Sequence, residues 1–404
     1  MKILVADKLH AAAMDGFRSL PGAEVVYEPS LGPSDLKASI PGVEVLVVRS
    51  TKVTAETIDH ADRLGLIIRA GAGVNTIDVE TASRRGIYVA NCPGKNASAV
   101  AELAVGLLLA VDRRLADNVI DFRNGRWNKG EYSKADGVKG KRVGIVGAGM
   151  IGQETARRLL PFGVEIHAWS RSLTPDKAEA LGYGYCATLE ELARKCEVVS
   201  VHLALTKETR GLLGKSFFEA LPERAIFINT SRAEVVDTAA LLEAMEKRSL
   251  RVGTDVVENE PSGKQGDFDS SLGRHSRCYA THHIGASTDQ AELETGLEAA
   301  RIAEYFSKGA PVPNCVNLRT APSDGYSLVV RHEDRVGVLA EVFNCLKEAG
   351  INVQEMENLV FAGARAACAR ILVDNPPPES TLKAVKACDG VLHVRFTGPV
   401  PVEA

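Results

Sequence analysis

The chain has no Cys-x-x-Cys, and none of its histidines cluster at metal-ligand spacing, although eight cysteines are scattered through its 404 residues. That excludes zinc-ribbon and thioredoxin-type centres. It fits buried thiols in a reducing cytosol and no bound metal. No apolar run approaches the roughly 20 residues that cross a bilayer. The opening stretch Met1–His10 reads as a short strand and turn, without the apolar core of a secretory leader. A net charge of −4 gives no general attraction to nucleic acid or an anionic membrane. The expectation is a cytoplasmic protein without nucleic-acid or membrane partners. With 45% apolar and 25% charged residues, the chain can bury the cores of two or three globular domains.

What is present begins with Lys141–Ala156, KRVGIVGAGMIGQETA. The β-branched run Val143–Val146 enters the loop Gly147-Ala-Gly149-Met-Ile-Gly152, and a helical pattern follows at once. Gly147 allows the tight turn, Gly149 lets backbone approach a pyrophosphate, and Gly152 lets helix pack on strand. Phosphates then meet the free amides and positive dipole end of the helix. A GxGxxG set between strand and helix is a strong dinucleotide signal, where a lone one is weak. The loop follows a complete α/β segment, so the nucleotide domain reads as inserted into another domain.

Residues 2–92 alternate strands (Ile3–Ala6, Val43–Arg49, Leu66–Ala70, Ile87–Asn91) with helical stretches, the pattern of a parallel sheet covered on both faces. Residues 98–117 read as one long apolar helix connecting domains. Six more strands follow: Val143–Val146, Glu165–Trp169, Val198–Leu203, Ala225–Asn229, Arg251–Asp255 and Cys278–Thr281. They match a doubly wound dinucleotide fold. Residues 287–308 form a second long helix that returns to the first domain, and Gly309–Asp324 reads as a linker. The tail, Tyr326–Phe396, has the order βαββαβ of a ferredoxin-like module. It is too small for a second catalytic domain and suits regulation or assembly.

Three segments fall at strand ends where open parallel sheets bind ligands. They are Ile228-Asn-Thr-Ser-Arg232, Asp255-Val-Val-Glu-Asn-Glu260-Pro261 and Thr281-His-His283-Ile-Gly285. Arg232 offers a planar fork for a substrate carboxylate. His283 can take a hydroxyl proton while hydride leaves the same carbon for a nicotinamide, and Glu260 would favour the imidazolium and fix the ring. Taken singly, a strand-end arginine is ordinarily a solvated charge and a Glu-Pro pair ordinarily a turn. The trio, in order and downstream of a dinucleotide loop, points to redox chemistry on a small hydroxy or keto acid. An acid is expected about 20 residues past the glycine loop to hold the ribose hydroxyls of NAD. Here the strand ends Ala168-Trp169-Ser170-Arg171, with no carboxylate to repel a 2′-phosphate, so NAD and NADP both stay open.

The segments GAGMIG, NTSRAEVVD, DVVENEP and HHIGAST resemble those of the D-isomer-specific 2-hydroxyacid dehydrogenases, over essentially the whole length. Within that family they look most like the shorter bacterial phosphoglycerate dehydrogenases. The resemblance implies a Rossmann-type domain (98–284) inserted in a flavodoxin-like substrate domain (1–97 with 285–318), then a ferredoxin-like ACT domain (325–404). It gives Arg232, Glu260 and His283 the catalytic positions and Asp255 a nicotinamide contact. Met150 and Ile151 fall where amides meet the pyrophosphate, Thr230 and Ser231 on the nicotinamide side, and Leu203 and Gly285 among the coenzyme contacts. Arg49, Ser50, Lys52, Ala72, Gly73 and Asn75 match the substrate loops. Two departures stand out: Ala233 replaces the usual glycine, and Gly263–Arg277 is longer and more polar than usual.

The implied activity is oxidation of 3-phospho-D-glycerate to 3-phosphohydroxypyruvate, the entry to serine synthesis, in a homodimer or homotetramer. A glyoxylate or hydroxypyruvate reductase is the alternative within the family; a non-catalytic dinucleotide sensor is the alternative outside it. In the tail, Arg331–Leu339 and Gly350–Asn352 resemble an ACT ligand loop. There His332, Asp334 and Asn352 would hold serine, with Asp334 in place of the usual asparagine and Val336 in place of the usual proline.

Overall fold

The computed structural model describes residues 1–261, 266–319 and 326–398. They fall into two compact units, Met1–Asn317 and Leu318–Ala404.

The first unit holds two parallel sheets. One is built from β1 (Lys2–Val5), β2 (Glu24–Tyr27), β3 (Val45–Val48), β4 (Leu66–Arg69) and β5 (Tyr88–Asn91), in the order β2-β1-β3-β4-β5. Every residue of β3, VLVV, is buried. A strand covered on both faces must be apolar on both, which is why the sequence shows runs where alternation would mark a half-exposed sheet. The edge strand β2, EVVY, was not among the expected strands. Only its two valines are shielded, so it carries a weak apolar signal.

The other sheet comprises β6 (Arg142–Val146), β7 (Glu165–Trp169), β8 (Gly184–Tyr185), β9 (Val198–Val201), β10 (Ile226–Asn229), β11 (Arg251–Thr254) and β12 (Cys278–Ala280). Their order is β12-β11-β10-β9-β6-β7-β8, all parallel. The six expected strands are joined by two-residue β8, too short to leave a periodic trace. Strand order reverses between β6 and β9 here and between β1 and β3 in the first sheet. Connections leave those neighbours toward opposite faces and open a crevice at their carboxyl ends.

The chain passes to the second sheet through the helix Ala97–Arg113, which buries Val100, Ala104, Leu107, Leu108 and Val111 and packs on the helix Met150–Leu159. The expected continuation to residue 117 does not occur. Arg114 adopts a left-handed conformation (φ 51°) and a new helix, Leu115–Arg123, begins. No glycine or proline marks this break; Arg114 instead bonds Asp117, at 3.2 Å, and Glu131. After β12 the helix Asp289–Ser307 packs on Ala11–Arg18. It places Ala299, Ile302 and Ala303 in one core with Ile3, Val5 and Phe17. The second sheet is thus an excursion from the first.

Part of the expected linker is pinned down. Cys315 bridges Ala90, and the Asn317 side chain accepts from Val89 N (2.8 Å) and donates to the Ile87 carbonyl (2.9 Å). Residues 320–325 of that stretch, and 262–265 of the polar loop, lie outside the described residues.

The second unit is an antiparallel sheet of β13 (Tyr326–Glu333), β14 (Val353–Val360), β15 (Ala366–Val373) and β16 (Val391–Thr397), ordered β14-β15-β13-β16. Helices Val338–Glu348 and Glu379–Ala387 share its core through Val342, Leu346 and Val385. This is the expected ferredoxin-like arrangement.

Candidate active site

The glycine loop follows β6 directly. Gly147 has φ +98° and donates its amide to the Trp169 carbonyl at 2.8 Å. A Cβ there would stand 2.6 Å from the His202 carbonyl oxygen, and one on Gly152 would stand 2.1 Å from that of Gly147. Both positions exclude every side chain. Gly149 is the N-cap of Met150–Leu159, and open space lies where its Cβ would be. The first turn carries no acid, and the first-turn amides of Met150 and Ile151 lack intrahelical acceptors. An anion approaching this backbone meets free donors and a favourable dipole, which fits a pyrophosphate. Leu203 leans over Gly147, its Cδ2 3.1 Å from the Cβ position. Ser170 and the exposed Arg171 follow β7 without a carboxylate. An acid does arrive from another loop. The Thr206 hydroxyl, a backbone amide and the Arg171 charge together hold exposed Glu208 below the ordinary carboxylate range.

Beyond β10, the Asn229 side chain shapes the next loop. Its Oδ1 accepts the Ser231 amide (3.0 Å) and hydroxyl (2.8 Å), and its Nδ2 donates to the Arg232 carbonyl at 3.0 Å. Buried Ser231 therefore has its hydroxyl engaged within the loop. Buried Thr230 keeps a hydroxyl oxygen without a protein partner. The guanidinium of Arg232 is anchored by its NH1 on the Ser231 carbonyl (2.7 Å), and its NH2 reaches the other sheet, 3.0 Å from a Cβ on Gly73. Ala233 enters a short 3-10 turn without positive φ. The alanine in place of the family's glycine thus costs the backbone nothing.

Asp255 closes the site from beneath β11. Its carboxylate accepts Thr281 Oγ1 (2.6 Å) and the amides of Ile284 (2.9 Å) and Gly285 (2.7 Å), and its carbonyl accepts the His283 amide (2.9 Å). At 1% exposure it grips the loop 281–285. The grip holds His283 at φ +52°, a conformation that non-glycine residues rarely adopt. From there the imidazole Nδ1 meets Glu260 Oε2 at 2.7 Å. Burial pushes the Glu260 carboxyl up. The His283 bond, the Val257 amide and the His283 and Arg232 charges outweigh it, so the carboxyl titrates below its ordinary range. The Glu260 carboxylate is thus acted on by both the His283 imidazole and the Arg232 guanidinium.

The first sheet contributes cations. Arg49, Arg69, Lys8, Gly71 and Asn96 line a depression at its own point of strand reversal. Arg69, at the end of β4, was not expected as a site residue. Burial, then the like charges of Arg232 and Arg49, lower its pKa to about 10. It stays protonated at neutral pH, and Arg49 in the same depression is paired with Glu292 at 2.7 Å, so the guanidinium groups of Arg69 and Arg232 are those left to favour an anion. A lone arginine ending an apolar strand was the available signal. Asp7 Oδ2 accepts the amides of Arg49 (2.7 Å), Ser50 (3.0 Å) and Thr51 (3.0 Å), shaping the loop. Gly73 faces Arg232, the Asn75 Oδ1 stands 3.1 Å from the same Gly73 Cβ position, and the Ala72 carbonyl accepts from Asn91. Lys52 is exposed and lies outside the depression.

The tail residues do not converge within one chain. His332 is 2% exposed, with Nδ1 bonded to the Glu333 carbonyl (2.7 Å) and Nε2 3.2 Å from Asn358, so it is structural here. Val353 and Tyr326 both pair with Val373, whereas Val360 and His332 both pair with Ala367. Asn352, level with Asp374, and Asp334, level with Arg365, therefore stand at opposite ends of the sheet, nine residues apart or roughly 30 Å.

Residues 105–285 match the D-isomer specific 2-hydroxyacid dehydrogenase NAD binding domain. The chain is 36% identical over 327 residues to D-3-phosphoglycerate dehydrogenase of Archaeoglobus fulgidus, covering 80% of this chain and 61% of that enzyme. It is 38% identical over 283 residues to glyoxylate reductase of Thermococcus litoralis, covering 68% of this chain and 84% of that one. A solved structure of NAD+-bound 3-phosphoglycerate dehydrogenase from Entamoeba histolytica superposes with a TM-score of 0.66 at 30% identity, covering 79% of this chain and 99% of that chain. With the glycine cradle and the arginine–glutamate–histidine trio already in place, these likenesses fix the assignment: the chain belongs to the D-isomer-specific 2-hydroxyacid dehydrogenases.

Proposed function

We propose that the protein oxidises 3-phospho-D-glycerate to 3-phosphohydroxypyruvate in the cytoplasm, with NAD bound at the second sheet (98–284) and substrate held by the first (1–97 with 285–318). The observation that carries this reading is the meeting of the Glu260–His283 pair with Arg232, beside Arg49 and Arg69. Gly147, Gly149 and Gly152 with the amides of Met150 and Ile151 would hold the pyrophosphate, and the unpartnered Thr230 hydroxyl is a donor for the nicotinamide end. Bound NAD supplies the hydride acceptor. Arg232 holds the substrate carboxylate by charge-assisted bonds worth roughly 1.5–3 kcal/mol each. Because Nδ1 of His283 is engaged by Glu260, its Nε2 is left to take the hydroxyl proton, and the ionised Glu260 stabilises the resulting imidazolium. Arg69 adds positive charge beyond the Arg232 that one carboxylate needs, and Arg49, paired here with Glu292, would add more on exchanging that partner for substrate, which favours a substrate bearing a phosphate as well.

The decisive experiment compares steady-state kcat/KM for phosphoglycerate, glycerate and lactate with NAD and with NADP. Phosphoglycerate preferred by less than about tenfold would reject the substrate assignment. The missing carboxylate after β7 and the likeness to a glyoxylate reductase favour a second reading, reduction of glyoxylate or hydroxypyruvate, which the same assay run in reverse would reveal. A protein that retains coenzyme binding but turns over none of these substrates is a sensor.

The helix Leu115–Arg123 and the segment after it expose Leu115, Ile120, Phe122 and Trp127, the last at 80%. Apolar side chains so displayed suit a homodimer interface, testable by sedimentation of Trp127→Ser. We assign the tail to serine sensing between two copies, Asp334 of one and Asn352 of the next closing the site. Unchanged activity in millimolar serine would reject it.

A further inference from the structure

Cys345 lies on the helix Val338–Glu348, and Cys388 caps the end of the helix Glu379–Ala387. Their sulfurs stand 3.7 Å apart, and both side chains are partly exposed. Cys92, Cys186, Cys196 and Cys278 are all buried. Cys388 sits just past its helix, so its backbone is free of the helical ladder on one side, and its thiol meets Cys345 and the Ala384 carbonyl (3.4 Å), with the Glu341 charge nearby. We propose that Cys345 and Cys388 form a redox-modification site, a dithiol that peroxides convert to an intrachain disulfide.

The chemistry balances in two steps. A thiolate of the pair attacks hydrogen peroxide, breaking the O–O bond to leave a sulfenic acid and release hydroxide. The neighbouring thiol then displaces water from that sulfur and forms the S–S bond. Two cysteine sulfurs are oxidised by two electrons and the peroxide is reduced. Burial and the neighbouring thiol raise the Cys388 pKa to about 11, so its thiolate is scarce at neutral pH. The bond would staple the two helices over the sheet. The turn beyond Cys388 would be fixed with them. Asp389 in that turn pairs with Arg335, which also holds Glu333 at 2.8 Å.

The test uses the full chain, treated with hydrogen peroxide, blocked with N-ethylmaleimide and mapped by mass spectrometry. The expected result is loss of two hydrogen atoms, one peptide pair joined through Cys345 and Cys388, and recovery of both thiols with dithiothreitol. Cys345→Ser and Cys388→Ser should each abolish the joined pair. The proposal is overturned if both cysteines carry separate maleimide labels while Cys315 or Cys368 has been oxidised. It is equally overturned if the crosslink joins other cysteines.

Discussion

Glu260 Oε2 lies 2.7 Å from His283 Nδ1 across 23 residues of chain, and it is the only side-chain partner the imidazole has among the described residues. Glu260→Gln keeps the shape and removes the charge that favours imidazolium. It should lower kcat by about a hundredfold or more with KM little changed, and His283→Ala should cost at least as much.

The same pair sets an acid dependence. The folded-state pKa of Glu260 is depressed, so its contribution to stability is present above the unfolded carboxylate value of about 4.3 and is lost as pH falls through the lower folded value. Melting temperatures followed from neutral to acid pH should fall more steeply below about pH 4.5 for the native protein than for Glu260→Gln. Parallel curves would mean that the pair is not formed in solution.

Arg69→Met tests the cationic depression. Losing one charge-assisted contact of roughly 1.5–3 kcal/mol should raise KM for phosphoglycerate about ten- to a hundredfold. The effect on lactate, which lacks the phosphate, should be smaller. Arg69→Lys should not restore the affinity, because an ammonium lacks the planar fork.

Arg171→Ala reads the coenzyme choice. If Arg171 meets a 2′-phosphate, KM for NADP should rise far more than KM for NAD. Equal changes would show that the side chain does not select between the two coenzymes.

Gly152→Ala places a methyl 2.1 Å from the Gly147 carbonyl oxygen. The helix must shift off β6, so calorimetry should show a drop of at least about 1–3 kcal/mol in stability. Coenzyme binding should weaken with it.

Much of this was legible in the sequence because parallel strands buried on both faces read as apolar runs, and the glycine loop sits between strand and helix. What escaped did so for physical reasons. Strand β2 has only its valines shielded, and β8 is two residues long. The helix break at Arg114 depends on side-chain bonds to Asp117 and Glu131 and on no local breaker. In the site, Arg232, Glu260 and His283 could be named from strand-end position. Asp7 and Asn229 could not, and Asp255 could be placed in the site without its hold on the histidine loop, because each acts by gripping a loop's amides and only the folded chain shows where a carboxylate or amide points. The tail's ligand loop was the least readable. His332 looked available, yet it lies on the inward face of its strand.

The main chain passes between the two sheets twice, at 92–97 and at 281–288, and Lys95 on the first passage pairs with Glu298, on the helix after the second, at 3.7 Å. Two such joints, coupled to each other, fasten the lobes along one side. His283 lies on one of those joints, so the imidazole belongs to the connection between the lobes as well as to the strand end that holds it.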